Sequence, residues 1–307
     1  MIPARPTTLR DIMTGTIRNL PPQAMLRDAA RLMAEAHISS LLVMDDGTAL
    51  GIVTESNILN ALNDHPTGNV QLDAIMSHPL ITAPADLDLG AARQLVEAND
   101  IRHLVVTDPA GQVCGIVSDT DFRLNLGNEA FHHLRTLQGI LDRNIPILPS
   151  DATLGDAMAS MIGHGTDYLI VSDKGLPAGI ITERDIPRLL GTSEQPQLLP
   201  LGQAMSTPLR SISVTATLSA ALEAMNRFRV RHMVVFKGDA RVLGVISQRR
   251  LLEQLALEQL EIVRHQALLE RERTRLETYL QLTLDGAAAG SWEYRHHTGR
   301  LIASDGL

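Results

Sequence analysis

The chain has 307 residues, 44% of them hydrophobic and only 3% aromatic, and it carries a formal net charge of −8. These values predict a folded protein with an aliphatic core, and the acidic balance argues against nucleic acid as the main partner, because phosphate binding needs a basic surface. No uncharged apolar stretch approaches the ~18 residues of a membrane-spanning helix, and the single cysteine, Cys114, predicts a buried structural thiol in a cytoplasmic protein.

Four related phrases divide the chain, each with a glycine, two aliphatic residues and a hydroxyl. They begin at Gly51 (GIVTESN), Gly115 (GIVSDTDF), Gly179 (GIITERD) and Gly244 (GVISQRR). A leucine, an alanine and another apolar residue precede each phrase at helical spacing, so they share one helix face. These triplets are Leu26, Ala29 and Met33; Leu89, Ala92 and Val96; Leu154, Ala157 and Met161; and Leu218, Ala221 and Met225.

Each repeat predicts the order strand, helix, strand, strand, helix, and hence an α/β protein. The first strand is a short segment such as LITAP from Leu80, and the glycine phrase forms the last strand. A unit of about 60 residues is marginal alone, so neighbouring repeats should pack in pairs. We expect repeats at 9–65 and 72–127 to form one pair, 9–127, and repeats at 137–192 and 201–255 to form a second, 137–255.

In two repeats the hydroxyl of the phrase is followed by a carboxylate three residues later: Ser118 precedes Asp121, and Thr182 precedes Asp185. One interpretation is a simple helix cap, in which these oxygens accept from free amides of the first turn. The other is a nucleotide site, because open amides at a helix start bind phosphate, an aspartate can accept both ribose hydroxyls, and the glycine would let a ligand approach the backbone. The pattern leaves both open.

With this phrase, the repeats resemble CBS domains over residues ~9 to 255. The resemblance implies two Bateman modules, each with two clefts for adenosine-containing ligands such as AMP, ADP, ATP or S-adenosylmethionine, with Mg²⁺ accompanying a nucleotide. It also implies that the aspartate holds the ribose and the hydroxyl lies near the phosphates.

Carried over to single positions, the resemblance assigns the ligand contacts in repeat two to Ser118 and Asp121, and in repeat three to Thr182 and Asp185, with Arg184 facing phosphate. Repeat one keeps Thr54 but has Asn57 at the acid position, and repeat four keeps Ser247 but has Arg250, which cannot accept a hydrogen bond. We therefore expect one good site in each pair. The strand leading into each helix should line the adenine pocket, and its candidates are Ile81, Thr82, Ile147 and Leu148.

The remaining polar groups give no strong indication of a functional site. His103 and His232 occupy equivalent positions in Arg-His phrases and predict a packing role at a strand end, although their neighbours Arg102 and Arg231 could reach a phosphate. The histidine doublets lack companions at zinc-ligand spacing, and the chain has no Walker loop, nucleophile elbow or metalloprotease helix. We expect no metal site and no catalytic activity.

The last fifth of the chain changes character. Residues 249–284 predict a long connector helix, because Leu255, Ile262, Leu269 and Leu276 recur every seven residues. The complementary column, of Gln259, Gln266, Arg273 and Leu280, is mostly polar, so we expect an adjustable seam between two copies in a homodimer, or a single solvated helix.

Residues 285–307 resemble the start of a truncated PAS domain at Gly290, Trp292, Thr298 and Gly299. The resemblance implies a bacterial sensor that continues into an output domain such as a diguanylate cyclase or a histidine kinase. The leading hypothesis is a regulatory region that senses adenine nucleotides and relays their binding along the helix. The rival is a dimerising scaffold whose phrases are helix caps, with sensing left to the PAS domain.

Overall fold

The computed structural model describes residues 7–125, 137–191, 195–237, 241–286, 292–295 and 300–303. Residues 1–255 and 256–307 fall into two compact units. Within the described ranges, no helix has both the length and the apolar character needed to cross a membrane.

Repeat one shows how the pattern becomes structure. Its elements are α1 (Leu9–Ile12), β1 (Asn19–Leu20), α2 (Leu26–Ala36), β2 (Ser40–Asp45), β3 (Thr48–Thr54) and α3 (Glu55–Asp64). The face of α2 that carries Leu26, Ala29 and Met33 is buried, as the spacing predicts. The helix ends where His37 adopts a left-handed conformation, with φ of 54°, a common way to terminate a helix.

The other repeats follow the same order. Repeat two contains β4 (Thr82–Pro84), α4 (Leu89–Ala98), β5 (His103–Thr107), β6 (Val113–Ser118) and α5 (Asp119–Asn125). Repeat three contains β7 (Ile147–Pro149), α6 (Leu154–His164), β8 (Tyr168–Asp173), β9 (Leu176–Thr182) and α7 (Asp185–Leu190). Repeat four contains α8 (Leu201–Ala204), β10 (Ser211–Ser213), α9 (Leu218–Phe228), β11 (His232–Lys237), β12 (Arg241–Ser247) and the start of α10 (Gln248–Gly286).

Each repeat has its own three-stranded sheet. The short first strand pairs in parallel with the middle strand, as Thr82 does with Val105, and the middle strand pairs antiparallel with the glycine strand, as His103 does with Ser118. The four small sheets match the four repeats and confirm the α/β class.

Sheets pack face to face within each predicted pair. Leu42 and Ile52 of repeat one share an apolar cluster with Val105 of repeat two. Tyr168 and Ile170 of repeat three share another with Val234 and Val245 of repeat four. The two repeats of each pair are therefore joined through their sheets, which leaves the helices on the outside of each pair.

The chain entering each repeat crosses to the sheet of its neighbour. The two residues that make this contact, called here the entry segment, are Met13–Thr14, Met76–Ser77, Leu141–Asp142 and Met205–Ser206 in the four repeats. Thr14 pairs with Ile116 through two backbone hydrogen bonds of 2.9 and 3.1 Å, and Ser206 pairs in the same way with Ile180. Two repeats of a pair thus exchange backbone pairing, and one edge of each glycine strand is covered.

The helices join the two pairs unequally. Helices of repeats one and three bury their apolar faces in one continuous core, which includes Met33, Leu59, Met161 and Leu189. The apolar cores of repeats two and four form separate clusters. Polar residues including Arg93, Asp119 and Arg249 line a cavity of about 130 Å³ beside the core of repeat two. Apolar burial between the pairs is therefore concentrated on the side of repeats one and three.

Helix α10 runs from the end of repeat four over the range predicted for the connector. On its described side chains, the heptad residues Leu269 and Leu276 are exposed, whereas the side chains of Leu255, Gln259, Ile262 and Gln266 lie outside the described part. Strands β13 (Trp292–Arg295) and β14 (Arg300–Ala303) form an antiparallel pair. Gly290, Thr298 and Gly299 lie outside the described residues, and the role of the helix stays a prediction.

Gly244→Ala is expected to destabilise the protein by about 2–3 kcal/mol, because an added methyl group would overpack a tight contact. A Cβ at Gly244 would lie 2.8 Å from the backbone oxygen of Asp142 in the entry segment of repeat three. Gly163→Ala in α6 is the control: its Cβ would meet no atom within 4 Å, so helix propensity should stabilise the protein by about 0.5–1 kcal/mol. Urea unfolding measures both, and equal effects would contradict this packing.

Candidate functional site

The hydroxyl and the acid of each intact phrase contact each other. In repeat two the Asp121 carboxylate accepts hydrogen bonds from the backbone N–H of Ser118 at 2.8 Å and from its hydroxyl at 2.7 Å. In repeat three Asp185 accepts the same two bonds from Thr182 at 2.9 and 2.8 Å. Both acids therefore stabilise the strand-to-helix turn. The cap interpretation predicts instead that the hydroxyls accept from first-turn amides, whereas here they donate to the acids.

The same capping arrangement also occurs away from the phrases. Asp156 accepts from the backbone N–H and hydroxyl of Thr153 at 2.9 and 2.7 Å, at the start of α6. A hydroxyl and an acid three residues apart are thus not specific for a ligand site. What distinguishes Asp121 and Asp185 is the cleft beside each of them.

The Asp185 cleft is a cavity of about 250 Å³ between repeats three and four, and it contains Thr182, Arg184 and Asp185. Repeat four contributes Ser206 of its entry segment, the chain that follows as far as Arg210, and its α9–β11 turn. The apolar part of the wall comprises Ile180, Leu209, Phe228, Val230 and Val234. The apolar side chains of this cleft can pack on a flat ring, and its carboxylates and hydroxyls offer oxygen acceptors.

The Asp121 cleft, of about 220 Å³, is its counterpart between repeats two and one. Ser118 and Asp121 form one edge, and repeat one contributes Thr14, Thr16 and Arg18 together with the turn after α2. Arg184 and Arg231 of the second pair also line this cleft. The structure therefore brings the predicted residues of repeats two and three into two clefts, and places Arg184 at both.

The residues predicted for the adenine wall lie outside the two clefts. Ile81 packs in the core of repeat two and Thr82 pairs with Val105, and neither lines the Asp121 cleft. Ile147 is likewise half exposed in strand β7, outside the Asp185 cleft, and Leu148 packs on the core of repeats one and three. The reason is the exchange of entry segments: the wall of each cleft comes from the neighbouring repeat, which spacing within one repeat does not reveal.

The role predicted for the glycine also needs correction. An added Cβ at Gly115 would lie 2.6 Å from the sulfur of Met13, and one at Gly179 would lie 2.5 Å from the sulfur of Met205. The close neighbour is the entry segment of the paired repeat. The glycines thus admit a methionine from the neighbouring repeat, rather than leaving space for a ligand.

Repeats one and four lack the acid of the phrase, as the sequence shows, and other contacts take its place. The Asn57 side chain accepts from Thr54 and donates to the carbonyl oxygen of Ile75 and to Ser77 at 3.0 and 3.1 Å. Its amide group is therefore engaged by the paired repeat. Ser247 caps α10 by accepting from the backbone N–H of Arg250 at 3.2 Å, and both residues line a third cleft, of about 540 Å³.

A polar network joins the two pairs, and sequence reasoning missed it. Arg231 of repeat four donates to the buried carboxylate of Glu55 in repeat one at 2.7 Å. Arg102 of repeat two forms ion pairs with Glu183 and, at 3.3 Å, with Asp167 of repeat three. The available signal was the position after each hydroxyl, which holds Glu55, Asp119, Glu183 and Gln248 in the four phrases. The predicted phosphate ligands Arg102 and Arg231 are thus already engaged by carboxylates.

Burial and charge set the protonation of this network. Burial raises the pKa of Glu55, although Arg231 opposes the shift. Burial would also raise the pKa of Asp167, but His232 at 2.9 Å and Arg102 hold it well below its usual range. His103, whose pKa burial lowers to about 3 with help from Arg102, is neutral at physiological pH.

Both histidines begin strands, as predicted. His103 contacts the Ser39 hydroxyl at 2.7 Å, and the His232 ring lies 5.0 Å from that of Tyr168. Cys114 is half-buried and packs on the core of repeat two. Among the described residues, no group of three or more histidine, cysteine or acidic side chains has the geometry to hold a metal ion.

Asp119→Asn is expected to stabilise the protein at neutral pH. Burial raises the pKa of Asp119 to about 6, against Arg102 and Arg249. Since the folded pKa lies above the reference value, its contribution to stability is fully present below about pH 4 and is lost as the pH rises through about 6. The asparagine variant should gain about 1–2 kcal/mol at pH 8 and progressively less toward pH 5.

Urea unfolding at pH 5, 6.5 and 8 checks this. Asp151→Asn, at an exposed position, is the control for the loss of one carboxylate. A gain that does not depend on pH, or one equal to that of the control, would contradict the assignment.

Two known proteins resemble this chain over most of its length. The chain is 23% identical over 270 residues to protein MJ1404 of Methanocaldococcus jannaschii, a match that covers 81% of this chain and 62% of that protein. The crystal structure of protein MJ1225 from the same organism superposes with a TM-score of 0.71 at 18% identity, over 81% of this chain and 99% of the other. That likeness supports the fold.

A third match covers one pair only. The CBS domain pair of protein MJ0100, solved with 5′-methylthioadenosine and S-adenosyl-L-methionine, is 24% identical over 38% of this chain and 93% of the other, with a TM-score of 0.36. The model of the CBS domain family matches four segments, residues 9–64, 72–128, 137–191 and 201–257. With four CBS repeats arranged as two Bateman modules, the chain belongs to the CBS domain family.

Proposed function

We propose that the chain is a regulatory sensor that binds adenosine-containing ligands in the Asp121 and Asp185 clefts. The observation that carries the proposal is the Asp185 cleft, in which a carboxylate at a helix start and five apolar side chains line one cavity of about 250 Å³. Ligand sites combine an apolar wall with a few polar groups in this way. Family membership and the equivalent cleft at Asp121 support the same ligand class.

The chemistry of each wall suggests how such a ligand lies. In the Asp185 cleft the purine packs on the apolar wall, which includes Ile180 and Leu209. The Asp185 carboxylate accepts from the ribose hydroxyls, because two oxygens on one group match a diol. Arg18 and Arg184 in the Asp121 cleft provide charge for phosphate oxygens. Mg²⁺ would enter only with a polyphosphate ligand.

The output passes through α10. This helix begins at Gln248, directly after the Ser247 cap, and Arg249 at its start forms an ion pair with Asp100 of repeat two. A ligand that favours one packing of the modules would therefore bias the root of the helix. A second copy joins through the exposed heptad positions Leu269 and Leu276. The PAS resemblance of residues 285–307 supports a signalling domain after the helix, in a cytoplasmic bacterial protein.

A structural scaffold is the second candidate, and a specific observation favours it. Asp121 and Asp185 already accept hydrogen bonds from Ser118 and Thr182 within the strand-to-helix turns, and Asn57 is engaged by the paired repeat. In that account the clefts would bind no adenosine compound.

A thermal-shift panel separates the two candidates. It includes AMP, ADP, ATP with and without Mg²⁺, S-adenosylmethionine and NAD, with GMP as the base control, on the parent chain and on an Asp121→Ala/Asp185→Ala double variant. A ligand at about 100 times its dissociation constant should stabilise each site by about 2.7 kcal/mol. Stabilisation by an adenosine compound that the double variant lacks supports the sensor. If no compound shifts a folded parent chain, the scaffold account stands instead.

A further inference from the structure

The two clefts differ in the charge of their walls. Equivalent positions after the entry segments hold Arg18 in the Asp121 cleft and Arg210 in the Asp185 cleft, so this position alone does not distinguish them. The difference comes from the residue after the hydroxyl and from the other module. Glu183, the residue after the Thr182 hydroxyl, and Glu55 of the other module line the Asp185 cleft, whereas Asp119, the residue after Ser118, does not line the Asp121 cleft. Arg184 and Arg231 line both clefts.

The Asp185 cleft is rich in carboxylates. Its wall contains Asp185, Glu183, Asp167 and, from the other module, Glu55. Three guanidinium groups face these four carboxylates, those of Arg184, Arg210 and Arg231, which gives a net charge of −1 with histidine neutral. Arg102, which pairs with Asp167 and Glu183 from outside the wall, brings the surroundings only to neutrality.

The arginines of the Asp185 cleft are also engaged. Arg231 donates to Glu55 at 2.7 Å, and the Arg210 guanidinium lies over the Phe228 ring at 4.5 Å from its centre. A phosphate entering this cleft would approach the carboxylates of Glu55 and Glu183 as well. Like charges at such distances repel strongly where water is scarce.

The Asp121 cleft has the opposite balance. Asp121 is the one carboxylate among its described lining residues, against Arg18, Arg184 and Arg231, which gives the wall a net charge of +2. Glu55, which pairs with Arg231 from outside this wall, lowers the charge of the surroundings to +1. His103 adds no charge, because its pKa is lowered to about 3. Hydroxyl groups complete the polar wall, those of Thr14, Thr16, Ser39, Ser40, Ser118 and Thr120. Such a wall suits phosphate oxygens.

We propose that the two clefts take adenosine compounds of different charge. The Asp121 cleft takes a phosphorylated adenosine nucleotide, and the Asp185 cleft takes an adenosine derivative without phosphate, either a neutral 5′-thioether or a sulfonium cation. This division rests on the proposed function and makes the chain a reader of two metabolite classes. One unit of net charge within a cleft changes the affinity for an anion by about tenfold.

Isothermal titration calorimetry on two single variants tests the division. Asp121→Ala leaves the Asp185 cleft intact and should bind 5′-methylthioadenosine at least about tenfold more tightly than AMP. Asp185→Ala leaves the Asp121 cleft intact and should show the reverse order.

Arg18→Gln provides a second test that does not touch either carboxylate. Arg18 is exposed, so its replacement should leave the fold intact, weaken AMP binding by about tenfold and leave 5′-methylthioadenosine binding unchanged. Arg10→Gln, at an exposed position that lines neither cleft, is the matched control.

The outcomes separate two failures. The same order of affinities in Asp121→Ala and Asp185→Ala would overturn the charge division while leaving an adenosine sensor. AMP binding that depends on Asp185 and survives Asp121→Ala would overturn it as well. Absence of binding by either compound to the parent chain would overturn both this inference and the proposed function.

Discussion

Asp185→Ala is expected to abolish adenosine binding in its cleft while costing only about 1 kcal/mol of stability, the usual value of a helix cap. The carboxylate accepts two hydrogen bonds from Thr182 and lines the cleft. Alanine removes the cap and the ribose acceptor together. Calorimetry and urea unfolding measure the two effects on the same sample.

Asp156→Ala is the matched control, because Asp156 makes the same two bonds to Thr153 and lines none of the clefts described here. It should lose about the same stability and keep full ligand affinity. If both variants bind an adenosine compound like the parent, Asp185 is a cap and nothing more. If both lose affinity equally, the loss reflects general destabilisation, and the ribose role is wrong.

Arg231→Ala is expected to destabilise the protein by about 2–4 kcal/mol at pH 8, because it leaves a buried carboxylate without its strongest partner. The carboxylate is that of Glu55, whose side chain is 5% exposed, and the pair joins repeat one to repeat four. Burial already raises the pKa of Glu55, so loss of the guanidinium should raise it further. The cost should therefore shrink as the pH falls and Glu55 takes up a proton.

Two further variants test this prediction. Combining Glu55→Gln with Arg231→Ala should recover part of the loss, because no charge is then left buried. Arg273→Ala breaks an exposed ion pair with Glu277 on α10 and should cost no more than about 0.5 kcal/mol. Equal costs for Arg231→Ala and Arg273→Ala would mean that the pair between the modules does not hold them together.

The repeat pattern predicted much of the fold because it is local. The spacing of Leu26, Ala29 and Met33 places them on one helix face whatever surrounds that helix. The hydroxyl and acid of a phrase lie three residues apart, so their contact across the turn also follows from the sequence. Pairing of neighbouring repeats followed from their small size, and the sheets do meet in that way.

The walls of the clefts could not be predicted in this way because they depend on contacts between repeats. Nothing in the spacing of repeat two indicates that Thr14 of repeat one pairs with Ile116, and the candidates Ile81 and Thr82 do not line the Asp121 cleft. The ion pairs of Arg102 and Arg231 cross between modules. Such pairings need the packing of the helices, which no single repeat encodes.

The phrases of repeats one and four, which lack the acid, show what could be read from the sequence and what could not. Asn57 and Arg250 could be recognised as departures from the acid position, and the loss of a carboxylate there is evident from the sequence. That the Asn57 amide donates to the Ile75 carbonyl oxygen and to Ser77 depends on the exchanged entry segment. The sequence therefore indicates which clefts lack the acid, and the structure adds what engages the replacement.

A crystal structure of the chain soaked with AMP and 5′-methylthioadenosine together tests the central claim most directly. We expect purine density in the Asp121 and Asp185 clefts, with the ribose hydroxyls of each ligand within hydrogen-bond distance of the carboxylate in its cleft. Density confined to the third cleft, beside Arg250, or no density in any of the three clefts, would contradict this expectation.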